Sequence, residues 1–291
     1  MKVQLFLRKI AFWLGKNKFT KLLYRIYCAS GLKHLKYHLF SLWFHKHPTQ
    51  EMNDEKKLFS EHIQELKTVY DSLEDGRSRS VFENVLKFRA KSDWLCLKRS
   101  MGKDSVKTQY LVPELQFSDH EIIVDCGAYT GDTAKLFFAK IPGCRVIALE
   151  PDENIFELLQ QCKLEGLTAI KAGAWSEDTT LNFSSDGGGG AISTSGTTVI
   201  EVKALDHILE CRSATYIKMD IEGAELEALK GAANIIKEMK PKLAICLYHK
   251  PQDFFEIPLY IKKLNPDYKL YVHHHQYKDA GRCADTVLYA V

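Results

Sequence analysis

The chain reads as an α/β protein: a seven-stranded sheet preceded by a helical extension. Three observations predict this. Seven short runs rich in β-branched and apolar residues, at 121–125, 145–149, 168–172, 215–219, 243–248, 268–272 and 285–290, alternate with segments of helical periodicity, the pattern of βαβ units and a parallel sheet. The first run leads through a turn containing Gly127 and Gly131 into a helix. Before Asp119 no such runs occur, and the apolar residues fall at helical spacing instead.

In order along the chain, residues 1–50 read as a basic amphipathic helical arm. Phe6, Ile10 and Trp13, then Phe19, Leu22, Leu23, Ile26 and Tyr27, keep one stripe, and Leu35, Leu39, Leu42 and Trp43 repeat it until Pro48. This arm holds ten Lys and Arg and no acid, so the rest of the chain, with 30 basic and 37 acidic residues, carries −7 while the whole carries +3. One-signed charge with interleaved aromatics suits a helix lying on an anionic membrane. Packing on the rest of the chain or on a second copy of it fits the same pattern. Peripheral membrane contact through residues 1–47 and a homo-oligomer are therefore both expectations.

Residues 51–118 read as a helical lead-in. Leu58, Ile63, Leu66, Val69, Tyr70 and Leu73 share a face before Asp75-Gly76, and a second helix spans Val81 to Phe88. Residues 119–291 hold the seven strands. Between the third and fourth, Leu181-Asn182-Phe183 and Val199 to Val202 look like an inserted hairpin around the glycine patch Gly187 to Gly190. A flexible loop is its expected meaning, with a lid over substrate as the sharper alternative.

Composition narrows the class. With 291 residues, 45% hydrophobic and 26% charged, the chain suits one large folded domain with an addition. Its eight cysteines form no CxxC pair, which excludes a zinc ribbon and points to reduced thiols in a cytoplasmic protein. No stretch reaches the ~18 apolar residues of a membrane span. Arg8 and Lys9 break the apolar run that a signal peptide would need.

Four motifs carry chemistry. Ile122-Ile123-Val124-Asp125-Cys126-Gly127-Ala128-Tyr129-Thr130-Gly131-Asp132-Thr133 is a buried strand, a glycine turn and a helix start, where bare backbone can approach a ligand. It lacks both the dinucleotide fingerprint and the Gly-Lys-Ser/Thr of a phosphate loop. An acid ending the strand suits a ligand with an amino group and a sulfonium, and would repel a pyrophosphate. Glu150-Pro151-Asp152 ends the second strand, placing Glu150 to accept two hydrogen bonds from a ribose. Ala172-Gly173-Ala174-Trp175 ends the third, where small residues leave room for an adenine. Asp220-Ile221-Glu222-Gly223-Ala224-Glu225 ends the fourth and opens a helix with Leu226, Leu229, Ala233 and Ile236 on its buried face; Glu222 and Glu225 also suit a first helical turn electrostatically.

Together DCGAYTGDT, ALEPDE, AGAWSEDTTL and IKMDIEGAELEALKGA resemble the FkbM family of methyltransferases over residues 109–291. The resemblance implies a class I methyltransferase fold with a Rossmann-like, mixed seven-stranded sheet, the cofactor S-adenosyl-L-methionine, and O-methylation of a carbohydrate or natural product. Tyr70 to Phe88 with Gln109-Tyr110 resembles members associated with surface polysaccharide synthesis. Carried over for cofactor binding are Asp125, Gly127, Tyr129, Gly131, Thr133, Glu150, Pro151 and Ala174, while Asp220 and Glu222 match the acidic motif of the fourth strand.

A hydroxyl acceptor is scarcely ionised at neutral pH and needs a base. Candidates at carboxyl ends of strands are His249 first, then Asp220, with Glu222 beside them and His273, His274 and His275 on the sixth strand. These histidines could instead hold a metal with Asp220, but no metal is assigned. Two other readings compete. Nucleic-acid methylation is disfavoured because Asp220-Ile221-Glu222-Gly223 stands where an Asn/Asp-Pro-Pro-Tyr run would be, and no Pro-Cys nucleophile occurs. A non-catalytic scaffold that binds the cofactor would show an intact pocket without turnover.

Overall fold

The computed structural model describes residues 49–91, 93–100, 108–185, 190–275 and 285–291. The basic arm, except for its last two residues, and Gly187 to Gly189 lie outside them.

Among the described residues four helices lead in. Helix α1 (Gln50–Glu61) starts at Thr49, whose hydroxyl accepts the Met52 N–H at 3.2 Å, satisfying one of the donors a helix start leaves unpaired. Helix α2 (Ile63–Ser72) ends where Leu73 turns extended and bridges Leu270. Asp75 Oδ1 accepts the Ser78 N–H at 2.6 Å at the start of α3 (Gly76–Lys91), and α4 (Trp94–Ser100) follows.

The first half of the domain runs β1 (Ile122–Cys126), α5 (Asp132–Lys140), β2 (Arg145–Leu149), α6 (Glu153–Gln160) and β3 (Leu167–Ile170). Asp152 starts α6 by accepting the N–H groups of Asn154 and Ile155 at 2.9 and 3.1 Å. Next come β4 (Gly173–Ala174), β5 (Thr179–Ser185), β6 (Gly190–Ile192) and β7 (Thr198–Lys203). The second half runs β8 (Tyr216–Met219), α7 (Glu225–Lys230), α8 (Ala233–Met239), β9 (Lys242–Cys246), α9 (Asp253–Leu264), β10 (Leu270–His274) and β11 (Thr286–Ala290).

The main sheet has seven strands in the order β3-β2-β1-β8-β9-β11-β10. It is mixed, because β11 runs antiparallel to both β9 and β10 while the other pairs are parallel. Strand order reverses between β1 and β8, which opens a crevice at their carboxyl ends. Each strand sends alternate side chains to opposite faces. Val124, Ile147, Ile217 and Ile245 pack with Phe59, Phe82, Leu229 and Phe254 on one face; Ile123, Val146, Tyr216 and Ala244 pack with Leu115, Phe137 and Leu159 on the other. The lead-in helices thus cover part of the catalytic sheet itself.

Two expectations change. The inserted hairpin is present, with Leu181-Asn182-Phe183 of β5 antiparallel to β7, but it is no flexible loop: β4, β7, β5 and β6 form a second sheet in that order, with a small core of Phe183, Ile200 and Val202. The helix after the fourth strand is split into α7 and α8. Gly231 sits at the break, where a Cβ would meet the Trp175 carbonyl oxygen at 1.9 Å, so the chain must bend around that contact. Ala233 is only half-buried as a result.

Candidate active site

At the reversal point a cavity of about 310 Å³ is lined by Gly127, Ala128, Tyr129 and Thr133 from the first turn, Glu150 to Asp152 from the second, Gly173 and Ala174 from the third, and Asp220 to Glu222 from the fourth. Phe183, Ile192 and Ile200 of the second sheet add an apolar wall. Four carboxyl-end turns thus converge on one space, as the strand order requires.

The glycine turn is held tightly. Gly127 adopts φ 74°, and a Cβ there would lie 2.1 Å from the Asp220 carbonyl oxygen, so only glycine fits. The amides of Gly127 and Ala128 both donate to the Leu149 carbonyl at 3.1 Å. Next to them the Tyr129 N–H donates to Glu150 Oε2, and the Asp152 N–H to Oε1, each at 3.0 Å. A carboxylate oxygen has two lone pairs, so Glu150 keeps one on each oxygen toward the cavity. Burial pushes the Glu150 carboxyl above its ordinary range, against those two amides. A buried carboxylate with spare acceptors, beside a bare glycine and the small Gly173 and Ala174, fits a ribosyl adenine group.

Two residues carried over for cofactor contact lie elsewhere. Asp125 does not line the cavity: it is fully buried beneath the glycine turn, 2.9 Å from Lys218 Nζ. Its partner stands directly opposite in the β1–β8 register. Lys218 also donates to the carbonyls of Cys126 and Gly127 at 3.2 and 2.8 Å, so the pair braces the turn from below. Burial raises the Asp125 pKa and Lys218 opposes it; burial alone would discharge Lys218, but Asp125 and Asp220 outweigh that and raise its pKa. Gly131, at φ 81°, shapes the start of α5, where a Cβ would crowd Leu159 and Cys162. Tyr129, Thr133, Pro151 and Ala174 do line the cavity.

The other end of the cavity is acidic. Asp220 accepts the Tyr110 hydroxyl on Oδ2 and the Tyr248 hydroxyl on Oδ1, both at 2.8 Å. His249 stands behind it: Nδ1 is 2.8 Å from Glu225 Oε1, and Nε2 is 3.5 Å from both Asp220 Oδ1 and Glu222 Oε2. Burial opposes protonation of this imidazole, but Glu225, Asp220 and Glu222 outweigh it and raise the pKa to about 9. Burial likewise opposes ionisation of Asp220, yet Lys218, His249 and the two tyrosines hold its carboxyl low. A protonated imidazole conflicts with the first place that His249 takes as base in the sequence. Glu222 lies outside the helix, at φ 54°, whereas Glu225 is in the first turn.

His273, His274 and His275 stay out of this cluster. His273 Nε2 is 3.2 Å from Glu114, His274 Nδ1 2.9 Å from Thr286 Oγ1, and His275 Nε2 2.7 Å from the Tyr289 hydroxyl. Sequence reasoning missed Tyr110, Lys218, Glu225 and Tyr248 as members of the site. Their neighbours Gln109 and His249 were the available signals, together with the acidic motif around Asp220.

No curated protein matches the chain. Among solved structures, an FkbM methyltransferase from Methylobacillus flagellatus KT is 30% identical with a TM-score of 0.68, covering 80% of this chain and 60% of its own. The protein therefore spans about three-fifths of that relative's length. A precorrin-6y C5,15-methyltransferase from Geobacter metallireducens GS-15 is 10% identical (TM-score 0.39, 65% of this chain, 90% of its own). An Aeropyrum pernix fibrillarin with natively bound S-adenosyl-L-methionine is 11% identical (TM-score 0.38, 60% and 67%). Both are too distant to bear on function. The model of the methyltransferase FkbM domain matches residues 125–278, more than half of the chain, and this shows that the protein belongs to the FkbM methyltransferase family.

Proposed function

We propose that the protein is an S-adenosyl-L-methionine-dependent O-methyltransferase acting on a hydroxyl of a carbohydrate, on a surface polysaccharide or lipid-linked glycan, or of a natural product. The observation that carries this reading is one cavity with Glu150 at one end and Asp220, held by two tyrosines, at the other. When bound, the cofactor supplies an electrophilic methyl: a C–O bond forms to the acceptor as the C–S bond breaks, and the electron pair stays on sulfur.

The chain's own residues orient and deprotonate. Glu150 accepts from the ribose and fixes the cofactor's rotation. Asp220 lines the cavity whereas His249 does not, so Asp220 is the carboxylate within reach of an acceptor hydroxyl, and Tyr110 and Tyr248 fix its plane. Holding the reactants in near-attack geometry is the larger effect, and a positioned base adds about 10² to 10⁴ in rate. With Asp152, Asp220 and Glu222 all on the cavity wall, a neutral acceptor is favoured and a phosphate backbone is repelled. The basic residues within 1–47 bring the enzyme to an anionic membrane surface in this reading. Among the described residues no helix is long and apolar enough to cross a membrane.

The test is methyl transfer from labelled cofactor to neutral glycans, glycolipids, nucleic acids and proteins, with the product's methylated atom identified. Label on a glycan or small-molecule oxygen supports the reading. Label on nitrogen or nucleic acid, or cofactor binding with no turnover on any hydroxylated acceptor, overturns it.

A further inference from the structure

The arrangement around His249 is unusual for a histidine that only fills space. Its side chain is 7% exposed, and Nε2 has no hydrogen-bond partner. That nitrogen is nevertheless aimed between two carboxylates, 3.5 Å from Asp220 Oδ1 and 3.5 Å from Glu222 Oε2. Such separations exceed an ordinary N–H···O bond, which is about 2.9 Å. They match the edge between two ligands that each sit about 2.1 Å from one ion, roughly 3.0 to 3.5 Å.

We propose that His249 Nε2, Asp220 and Glu222 form a divalent-cation site at the acceptor end of the cavity, with Glu225 orienting the imidazole. Glu225 is fully buried, and its Oε1 sits 2.8 Å from His249 Nδ1 while also accepting the Ile221 N–H at 2.9 Å. A carboxylate on the far nitrogen of a metal-binding imidazole fixes the tautomer and raises the basicity of the near one, and a bound ion takes the place of the proton that the imidazole otherwise holds at Nε2. Glu225 Oε2 is itself buried without a hydrogen-bond partner, and a cation a few ångströms away would relieve that cost.

Imidazole with two carboxylates suits first-row divalent ions such as Mn²⁺ or Zn²⁺ better than an all-oxygen cage suits them. Asp220 and Glu222 are 26% and 48% exposed at their side chains, so the remaining positions face the open cleft. The inference rests on the methyltransferase reading above and deepens it. A cation there would lower the pKa of a hydroxyl at its open face, which eases passage of its proton to the Asp220 carboxylate.

Chelator-treated full-length protein titrated with Mn²⁺ alone, followed by the loss of the free-ion electron paramagnetic resonance signal, tests this. One ion per chain is expected. His249→Ala and Asp220→Asn should each weaken binding at least tenfold, and Glu225→Gln, which never touches the ion, by 10- to 100-fold. No binding by the wild type, or undiminished binding by His249→Ala, would overturn the site. If His249→Ala fails to melt cooperatively, the half-exposed Glu222→Gln decides instead, and full affinity there overturns the proposal. Calorimetry with S-adenosyl-L-methionine on the same wild-type sample separates the two readings. Cofactor binding without Mn²⁺ binding removes only the cation, whereas absent cofactor binding removes the reading beneath it.

Discussion

The ammonium of Lys218 lies 2.9 Å from Asp125 Oδ1, in a layer of the protein that water does not reach. Removing one charge strands the other. Lys218→Met should therefore destabilise the fold by about 3 to 5 kcal/mol. The double variant Asp125→Asn/Lys218→Met should recover a large share of that loss. Urea unfolding of the three proteins checks it, and equal midpoints for wild type and Lys218→Met would remove the brace.

In the proposed reading Glu150→Ala strands the ribose hydroxyls, and it frees the Tyr129 and Asp152 amides. It should weaken S-adenosyl-L-methionine binding by about 1 to 3 kcal/mol. Unchanged affinity by calorimetry would reassign the carboxylate to a structural role in the turn.

Asp220→Asn should cut turnover by about 10²-fold or more. Tyr110→Phe and Tyr248→Phe each remove one hydroxyl from Asp220 and leave its charge. Their expected loss in kcat is about tenfold, a modest misplacement, with the KM for cofactor unchanged. Wild-type rates in both tyrosine variants would show that Asp220 needs no orienting.

Asp253, at the start of α9, is buried, and burial together with Glu225 raises its pKa from an ordinary carboxylate value to about 7. Between those two values the folded protein binds a proton that the unfolded chain has released. Stability is therefore lost as pH rises through this window. Asn keeps an acceptor for the Lys250 N–H that Asp253 Oδ2 takes at 3.1 Å. Asp253→Asn should melt higher than wild type above pH 7 and show no advantage near the lower end of the window. A thermal melting series against pH reads the difference, and parallel curves would refute it.

The basic arm is expected to bind vesicles containing anionic lipid. Lys2, Lys9 and Lys16 recur every seven residues, and each can contribute up to ~1 kcal/mol near such a surface. Replacing the three by Gln should reduce flotation, and raised salt should reduce it further. Equal flotation of both proteins, or none, would leave a structural arm.

The main sheet was legible because its strands are apolar runs that must be buried on both faces, and such runs announce themselves locally. What a helix covers is not local. The stripe of Leu66, Val69 and Leu73 could be seen, but its packing on the catalytic sheet could not. The same holds for charge partners: Asp125 ends a strand, and nothing near it in sequence says whether it faces a ligand or a lysine on the neighbouring strand. Glu150, by contrast, lines the cavity at a strand end that is visible locally, because Pro151 turns the chain out of the sheet there. The second sheet was legible in part: the hairpin of Leu181-Asn182-Phe183 and Val199 to Val202 pairs as β5 with β7, whereas the short β4 and β6 are too rich in Gly and Ala to reveal a strand pattern.

That second sheet has its own small apolar cluster, Phe183, Ile200 and Val202, apart from the two cores that flank the main sheet. A unit held by so few contacts opens at a fraction of the global unfolding free energy. Amide protons on β5 and β7 should then exchange with solvent long before those of β1 and β8. The wall beside Gly173 and Pro151, where a Cβ on Gly173 would meet Val202 and Ile200, would breathe while the main strands stay shut, so the group bound against Glu150 could come and go through a door whose stiffness is set by the size of the ring at Phe183.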